Sequence, residues 1–399
     1  MKIKRMLFVC AGVGLMAAFV VSGTHSTSAE ARSGSKREVP KFAVDPSWPK
    51  IPNGWTLGQV SSVAADEQDN IWILHRPRTV KPGVKTGPTV MEFDQAGNYV
   101  QGWGGPGEGY DWPQAEHSIS IDHKGYVWIT GEGPEDQILK FTKAGKFVMQ
   151  IGHGGHKKTN QDTENFWKPQ DASVYPKTNE LVVADGNGNK RIIVFDADTG
   201  KYKRMWGAFG NVPLDTPAAK EGGEGNGNGE VEKADRRLAT ELSEVFDPKD
   251  PGPPQFGSIH AVKVSNDGLV YVADKAAKRV QAFTLDGKFL TQGCVDRWCL
   301  VIGQGCNNAH TAAGLAFSAD PGQRFLYVAS RSPGRVLVFD RKTLQLLDSF
   351  GRPGIGPGEF DVLHHMTTDS KGNLYVSEVE DGRRVQKFVF KGISTMPVK

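Results

Sequence analysis

The chain has 399 residues and a formal net charge of only +3, so there is no electrostatic case for binding nucleic acid or an anionic membrane surface. Hydrophobic residues make up 38% of the chain, which is enough to build a folded core and excludes a disordered chain. The length exceeds that of a typical single domain. A single domain of this length can form where repeated units each contribute their own share of core.

The N-terminus has the pattern of a secretory signal. Three of the first five residues are basic, residues 6–21 are apolar, and Ala29-Glu30-Ala31 provides a cleavage site with small residues. The apolar run is shorter than the roughly 20 residues that span a bilayer. We therefore expect a signal peptide over residues 1–31 and a periplasmic or secreted mature chain, 32–399, without a membrane anchor. An uncleaved N-terminal anchor is the alternative.

Beyond this segment one pattern recurs six times. A short apolar strand is followed by a turn containing Gly, a strand such as LYVAD, a tight turn and a strand of the form R-V-x-x-F. Four short alternating strands per unit are typical of a propeller blade. The sequence thus predicts an all-β fold, a six-bladed β-propeller of NHL-type repeats, closed by an outer strand from residues 38–56. The six units are 61–76 with 89–104, 117–131 with 137–152, 170–196, 260–290, 313–340 and 364–388.

Residues 208–256 interrupt the period between the third and fourth blades. They are rich in Gly, Pro and charge, and apolar residues at helical spacing over 231–245 predict a short amphipathic helix. A surface insertion and a lid over the channel mouth both remain open interpretations.

Two smaller features complete the pattern. Asp185 with Arg191 and Asp274 with Arg279 recur at one position of the repeat, which predicts structural pairs between blades. After export three cysteines remain, and this odd number in an exported protein predicts one disulfide and one thiol, with the pairing open. These cysteines are Cys294, Cys299 and Cys306.

Three histidines share one position of the repeat. His117, His260 and His364 each precede the Gly of the next turn by eight residues, in the second, fourth and sixth blades. Alternate blades of a six-fold ring lie about 120° apart and their innermost strands line the channel, so the three rings should converge on the axis. Three neutral imidazoles with an open position form a catalytic zinc site. The other blades hold Ser61, Gln170 and Ala313 at this position, and the HGGH run at 153–156 is interpreted as a polar turn.

The repeats and these histidines resemble the catalytic domain of peptidyl-α-hydroxyglycine α-amidating lyase, a zinc-dependent six-bladed propeller. The likeness covers roughly residues 40–392 apart from the insertion, and GQVSSVAADEQDNIWILHR at 58–76 resembles the family's first blade. The resemblance implies that the three histidines are zinc ligands and that Arg76 is the catalytic arginine. It also implies a possible calcium ion, held through the backbone of Val63 and Ile119.

The chain departs from the family pattern at several site positions. Asn187 stands where the family has its catalytic Tyr, and Lys275 stands where it has an Arg in the fourth blade. His365 replaces the family's acidic calcium ligand, which puts calcium in question, and Val362 replaces a Met.

The resemblance implies a monomeric zinc lyase that cleaves a carbinolamide or related α-hydroxy compound, small or derived from a peptide, through a metal-bound alkoxide. Arg76 would grip the substrate carboxylate. Because Asn187 cannot exchange a proton near neutral pH, a zinc-bound hydroxide or Tyr110 would have to serve instead. Two alternatives stay open: a metal-dependent hydrolase of the lactonase-like propeller type, and a non-catalytic NHL binding module.

Overall fold

The computed structural model describes residues 36–133, 136–155, 159–215, 251–297 and 310–397. Within these ranges the chain forms 24 strands in six separate four-stranded antiparallel sheets, with two short 3-10 helices and no α-helix. The sheets are arranged as a six-bladed propeller, which confirms the predicted fold class.

Blades 1 to 5 each take four consecutive strands of the chain, and blade 6 takes β22–β24 together with β1. Blade 1 contains β2 (Gln59–Ala65), β3 (Ile71–Arg76), β4 (Val90–Phe93) and β5 (Tyr99–Trp103), and blade 2 contains β6 (Ala115–Ile121), β7 (Tyr126–Glu132), β8 (Ile138–Thr142) and β9 (Phe147–Ile151). Blade 3 contains β10 (Pro169–Tyr175), β11 (Glu180–Asp185), β12 (Arg191–Asp196) and β13 (Tyr202–Trp206), and blade 4 contains β14 (Ile259–Val264), β15 (Val270–Asp274), β16 (Arg279–Phe283) and β17 (Phe289–Cys294). Blade 5 contains β18 (Ala312–Phe317), β19 (Phe325–Ser330), β20 (Arg335–Asp340) and β21 (Leu346–Phe350), and blade 6 contains β22 (Val362–Thr368), β23 (Leu374–Val379), β24 (Arg384–Pro397) and β1 (Lys36–Asp45). The 3-10 helices are Pro77–Thr79 and Ala208–Gly210.

Burial explains the sequence pattern of the strands. The first strand of each blade contacts the first strands of both neighbouring blades, so these six strands form the innermost ring. The second strands read as nearly continuous apolar runs because both faces are covered by adjacent blades, as in β19, where all six residues are buried. The outermost strands, such as β21, are half exposed. The core therefore lies between blades rather than at a single centre.

The N-terminal strand closes the ring, as the sequence predicted. β1 pairs antiparallel with β24, so that Val44 lies opposite Phe388, and it becomes the outer strand of blade 6. The ring of Phe42 packs against Phe350 and Tyr327 of blade 5, with centroids 5.2 and 5.6 Å apart. This pairing joins the two ends of the propeller through backbone hydrogen bonds and aromatic packing.

The buried Asp–Arg pairs lie within a blade, which corrects the prediction that they join blades. Asp185 and Arg191 are directly opposite on β11 and β12, with Nε 2.9 Å from Oδ2 and both side chains fully buried. The guanidinium also donates to the carbonyls of Asn160 and Asn165, in the segment that arrives from blade 2. Blade 4 has the same arrangement. Arg279 pairs with Asp274 and donates to the carbonyls of Pro251, Pro253 and Gln255. Each pair thus fixes the incoming connection to its own blade.

Several predictions fall on residues outside the described ranges. These are the signal peptide and its cleavage site, residues 216–250 of the insertion predicted over 208–256 together with the predicted helix, and Cys299 and Cys306. Cys294 lies exposed at the end of β17, so the disulfide stays a prediction. Among the described residues no helix has the length and apolar character needed to cross a membrane.

The pairing of Arg191 predicts a large effect on stability. Arg191→Met should lower the free energy of unfolding by about 3–5 kcal/mol, because it leaves the Asp185 carboxylate buried without its counter-charge. Arg324→Met is the control, since Arg324 pairs with Glu38 at the surface and an exposed pair contributes little. Denaturant unfolding of both variants measures the difference, and equal stability of the two would contradict this role.

Candidate metal centre

All six innermost strands share a β-bulge at the level of the predicted histidine position. The register of each innermost strand against its partner shifts there by one residue, for example between Glu116 and Ser118 around His117, and between Ile259 and Ala261 around His260. The shifts in the other blades surround Ser61, Gln170, Ala313 and His364. A bulge inserts an unpaired residue and re-aims its side chain, so the bulges direct one ring of residues to the axis.

The structure brings the three predicted histidines together. Their ring centroids are 4.9 Å apart for His117 and His260, 4.7 Å for His117 and His364, and 4.4 Å for His260 and His364. The three ring planes are steeply inclined to one another, at 69°, 52° and 79°. All three side chains are buried. Because the nitrogen lone pairs lie in the ring planes, inclined rings of this kind can aim at a common point.

Backbone carbonyls of the neighbouring blades orient two of the rings. Nδ1 of His117 donates to the carbonyl of Gln170 at 2.7 Å, and Nδ1 of His364 donates to the carbonyl of Ser61 at 2.5 Å. Each acceptor is the bulge residue of the next blade around the ring. A carbonyl can only accept, so Nδ1 carries the proton and Nε2 keeps its lone pair. Outer hydrogen bonds of this kind are typical of histidines that bind metal ions.

Burial keeps the imidazoles of His260 and His364 neutral. It is the main cause that lowers the pKa of His260 and His364 well below the ordinary imidazole value, and nearby charges lower the pKa further. Neutral imidazoles are the form that binds metal ions. The Nε2 atoms of His260 and His364 are 3.2 Å apart, close to the about 3.3–3.4 Å between two nitrogens that bind one tetrahedral zinc ion. The donor set and its spacing therefore fit a zinc ion.

A fourth histidine, His365, belongs to the cluster, and sequence reasoning did not include it. The ligand nitrogens of all four histidines lie within 4.8 Å of one another, and His365 is buried, with no hydrogen-bond partner for either ring nitrogen among the described residues. Its ring stacks on His260 at 5.0 Å and 24°. His365 is therefore a fourth possible ligand, while only His117, His260 and His364 share the repeat position at the bulge and form the predicted ligand set. Burial lowers the pKa of His365 to about 3.

The bulge also explains why His365 was missed. Strand alternation places consecutive side chains on opposite faces, which would turn His365 away from the channel. The register shift between Leu363 and Met366 removes this alternation. The sequence signal for His365 would have been the pair of adjacent histidines in blade 6, where blades 2 and 4 each have one histidine.

The ends of β3 and β7 place charged residues beside the histidines. Arg76 is buried, with Nε donating to the Glu116 carbonyl at 2.9 Å and Nη1 to Gln59 Oε1 at 3.1 Å. Glu132, which sequence analysis did not select, is also buried, and its Oε1 lies 3.7 Å from Nε2 of His117. Asn187 is half-buried, with Nδ2 3.5 Å from the same Oε1. The position of the family Tyr is therefore next to a buried carboxylate.

The remaining predicted residues have different surroundings. Lys275 is buried, and its charge acts on His260. Val63 and Ile119 are buried within the register of β2–β3 and β6–β7. The buried Asp171 is already engaged, since Oδ2 accepts from Val262 N at 3.1 Å and from Lys263 Nζ at 2.9 Å. The calcium ion stays a prediction, since the carboxylate of Asp171 is engaged by these two donors.

Two further candidates lie in other surroundings. The Tyr110 hydroxyl donates to the Gly105 carbonyl, and its ring packs against Trp112, Phe141 and Phe147, so it is a packing residue of blade 2. His153 is exposed and contacts Gln150 and Asp111, while its partner in the HGGH run, His156, lies outside the described residues.

Comparison with known proteins identifies distant relatives. No protein-family model matches the chain. NHL repeat-containing protein 3 of Homo sapiens is 24% identical over 370 residues, covering 87% of this chain and 84% of that protein. Peptidyl-glycine alpha-amidating monooxygenase of Mus musculus is 25% identical over 348 residues, covering 80% of this chain but 29% of that protein. The probable peptidyl-alpha-hydroxyglycine alpha-amidating lyase of Caenorhabditis elegans is 25% identical over 243 residues, covering 57% of this chain and 56% of that protein.

Solved structures share the fold. An auxiliary nutrient binding protein from Bacteroides thetaiotaomicron superposes with a TM-score of 0.54 at 10% identity, covering 89% of this chain and 78% of that one. The chain is thus a six-bladed propeller with a buried histidine cluster that could hold a metal ion. The named relatives and the six blades together support its assignment to an NHL-repeat, lyase-like family.

The shared repeat position at the bulge predicts which histidines bind metal. His117→Ala, His260→Ala and His364→Ala should each weaken metal binding strongly, because each removes one of three converging nitrogens. His365→Asn should keep the metal, because His365 does not share the repeat position of the three predicted ligands, and His153→Ala is the surface control. Competition with a chelator measures affinity, and X-ray absorption of the loaded protein counts nitrogen ligands. A fourth imidazole in that spectrum, or loss of metal from His365→Asn, would contradict the three-histidine set.

Proposed function

We propose that the protein is an exported zinc-dependent lyase that cleaves a carbinolamide or a related α-hydroxy compound. The observation that carries this proposal is the set of three steeply inclined, buried imidazoles on the propeller axis. The lyase names of distant relatives support the choice of reaction. His117, His260 and His364 would hold the ion, and zinc so held supplies Lewis acidity, which lowers the pKa of a coordinated hydroxyl.

Cleavage of a carbinolamide needs one proton to move. The bond between the hydroxylated carbon and the amide nitrogen breaks, the hydroxyl oxygen becomes the aldehyde oxygen, and the hydroxyl proton ends on the amide nitrogen. No water is consumed, so the reaction is an elimination. The protein must therefore position the substrate and provide a group that accepts and returns a proton.

Arg76 is suited to position the substrate. Its guanidinium is held by the Glu116 carbonyl and the Gln59 amide, and its charge acts on both His364 and His365. A fixed cation next to the histidine cluster can bind a substrate carboxylate without first losing side-chain freedom.

Glu132 is suited to carry the proton. Its Oε1 lies near Nε2 of His117 and near the Asn187 amide, where the family has its Tyr. The Gln170 amide donates to the same oxygen, which fixes the carboxylate in place. We assign to Glu132 the proton transfer that Asn187 cannot perform.

The location and assembly of the protein form part of the proposal. The basic start, the short apolar run and the small residues at 29–31 support export and action in the periplasm or outside the cell. We expect a monomer with a small or peptide-derived substrate.

A non-catalytic binding module is the second candidate. Asn187 replaces the family's acid–base residue, and a relative that matches most of the chain is named for its repeats and not for a reaction. A binding module would hold a ligand at the same histidines without turnover.

The lyase assignment is tested with a peptide that ends in α-hydroxyglycine. Purified mature protein loaded with zinc should release glyoxylate, and Arg76→Met should abolish release while the metal stays bound. Asn187→Tyr should raise the rate, because it adds the family's phenol next to Glu132. Arg324→Met is the matched surface control. Absence of glyoxylate release from both the wild type and Asn187→Tyr, with zinc bound, would favour the binding module.

Glu132 has its own test. Glu132→Gln keeps the shape and the hydrogen bonds but cannot accept a proton, so kcat should fall on the order of 10²-fold or more, with unchanged metal content. Glu92→Gln is the matched control, because Glu92 is a buried carboxylate that accepts from Asn70 and Gln101. An unchanged kcat would remove Glu132 from the mechanism.

A further inference from the structure

Arg331 lies at the mouth of the channel in blade 5. It follows the last residue of β19, Ser330, which pairs with Ala312 at the start of the innermost strand β18. Its backbone N–H donates to the Thr311 carbonyl at 2.9 Å. In the repeat it takes the position of Lys275 in blade 4, since VASR in one blade corresponds to VADK in the other.

The side chain of Arg331 is buried, with two of its three nitrogens unpaired among the described residues. It is 7% exposed, and its Nε and Nη1 atoms have no hydrogen-bond partner among the described residues. Other buried arginines are fully used: Arg191 and Arg279 each bind an aspartate and several carbonyls. A buried guanidinium without acceptors destabilises the folded protein, so its presence calls for an acceptor that none of the described residues provides.

The carboxylates on this edge of blades 5 and 6 are engaged elsewhere. Asp296 accepts from Ser330 Oγ at 2.6 Å and from Arg335 Nε at 3.0 Å. Glu378 accepts from Arg384 Nε at 2.6 Å. The charges of Arg331 and Arg76 both act on His364, so two guanidiniums from different blades lie near the same metal-binding ring. On this side of the cluster, neither Asp296 nor Glu378 is free to pair with Arg331.

We infer that Arg331 binds an anionic group of the ligand from the blade 5 side of the histidine cluster, and that this group is a carboxylate. The planar guanidinium matches the two oxygens of a carboxylate and loses little freedom on binding. Arg76 has two of its donors engaged by the protein, whereas Arg331 offers its donors to the ligand. The inference deepens the proposed function, on which it rests for the α-hydroxy group, and assigns small α-hydroxy carboxylates as the ligand class.

Binding of glycolate tests this assignment without any turnover. Glycolate carries a hydroxyl next to a carboxylate, and glycolamide has the same shape without the charge. Isothermal titration calorimetry of the zinc-loaded protein should show that Arg331→Gln weakens glycolate binding about 10- to 100-fold, with glycolamide binding unchanged. Arg331→Lys should restore only part of the affinity, because an ammonium keeps the charge but cannot donate two parallel hydrogen bonds to a carboxylate. Arg324→Gln, a surface arginine, should bind glycolate like the wild type.

A stability measurement separates ligand binding from a structural role. Arg331→Gln should unfold at the same temperature as the wild type or higher, because it removes a buried charge without a counter-charge. Equal glycolate affinity of the wild type and Arg331→Gln, no glycolate binding by the zinc-loaded wild type, or a strongly lowered unfolding temperature of the variant would overturn the inference. Because no product is measured, failure of the lyase assay leaves the binding result intact, and the two failures can be told apart.

Discussion

The site depends on one extra residue in each innermost strand. At the same level in all six blades, the strand that lines the channel contains a bulge against its neighbour. A bulge re-aims the side chain of its extra residue. In alternate blades that residue is a histidine, and the three imidazoles converge. The metal centre is therefore a property of the repeated backbone as much as of the histidines.

The blades without histidine at the bulge also contribute. The carbonyls of Ser61 and Gln170 accept from Nδ1 of His364 and His117, so each of these blades orients the ring of the blade before it. Because the contact uses the backbone, the side chain at these positions can vary without loss of the orientation. The ring of six blades acts as one unit, in which neighbours supply the outer hydrogen bonds that fix the donor nitrogens.

The buried arginines of the propeller fall into two groups, those paired within the protein and those beside the histidine cluster. In blades 3 and 4 the arginines near the mouth are satisfied by aspartates and by the carbonyls of the connecting segments, and they stabilise the fold. In blades 1 and 5, Arg76 and Arg331 act on the histidine cluster, and Nε and Nη1 of Arg331 have no acceptor in the part of the chain that the structure describes. Functional sites commonly retain groups that cost stability, because a group already satisfied by the protein cannot bind a ligand.

The sequence by itself determined the fold class, the number of blades and the meeting of His117, His260 and His364, since a repeat of known geometry converts equal positions in sequence into equal positions around an axis. It did not show that His365 joins them, because strand alternation predicts the opposite face and the bulge is set by pairing with β23. It misplaced the Asp–Arg pairs, because only the tertiary structure shows which carbonyls each guanidinium meets. Glu132 and Arg331 stand at the repeat position that holds Arg76 in blade 1 and Lys275 in blade 4. The residue at this position differs from blade to blade, so the roles of Glu132 and Arg331 depend on burial and on partners that local sequence does not encode.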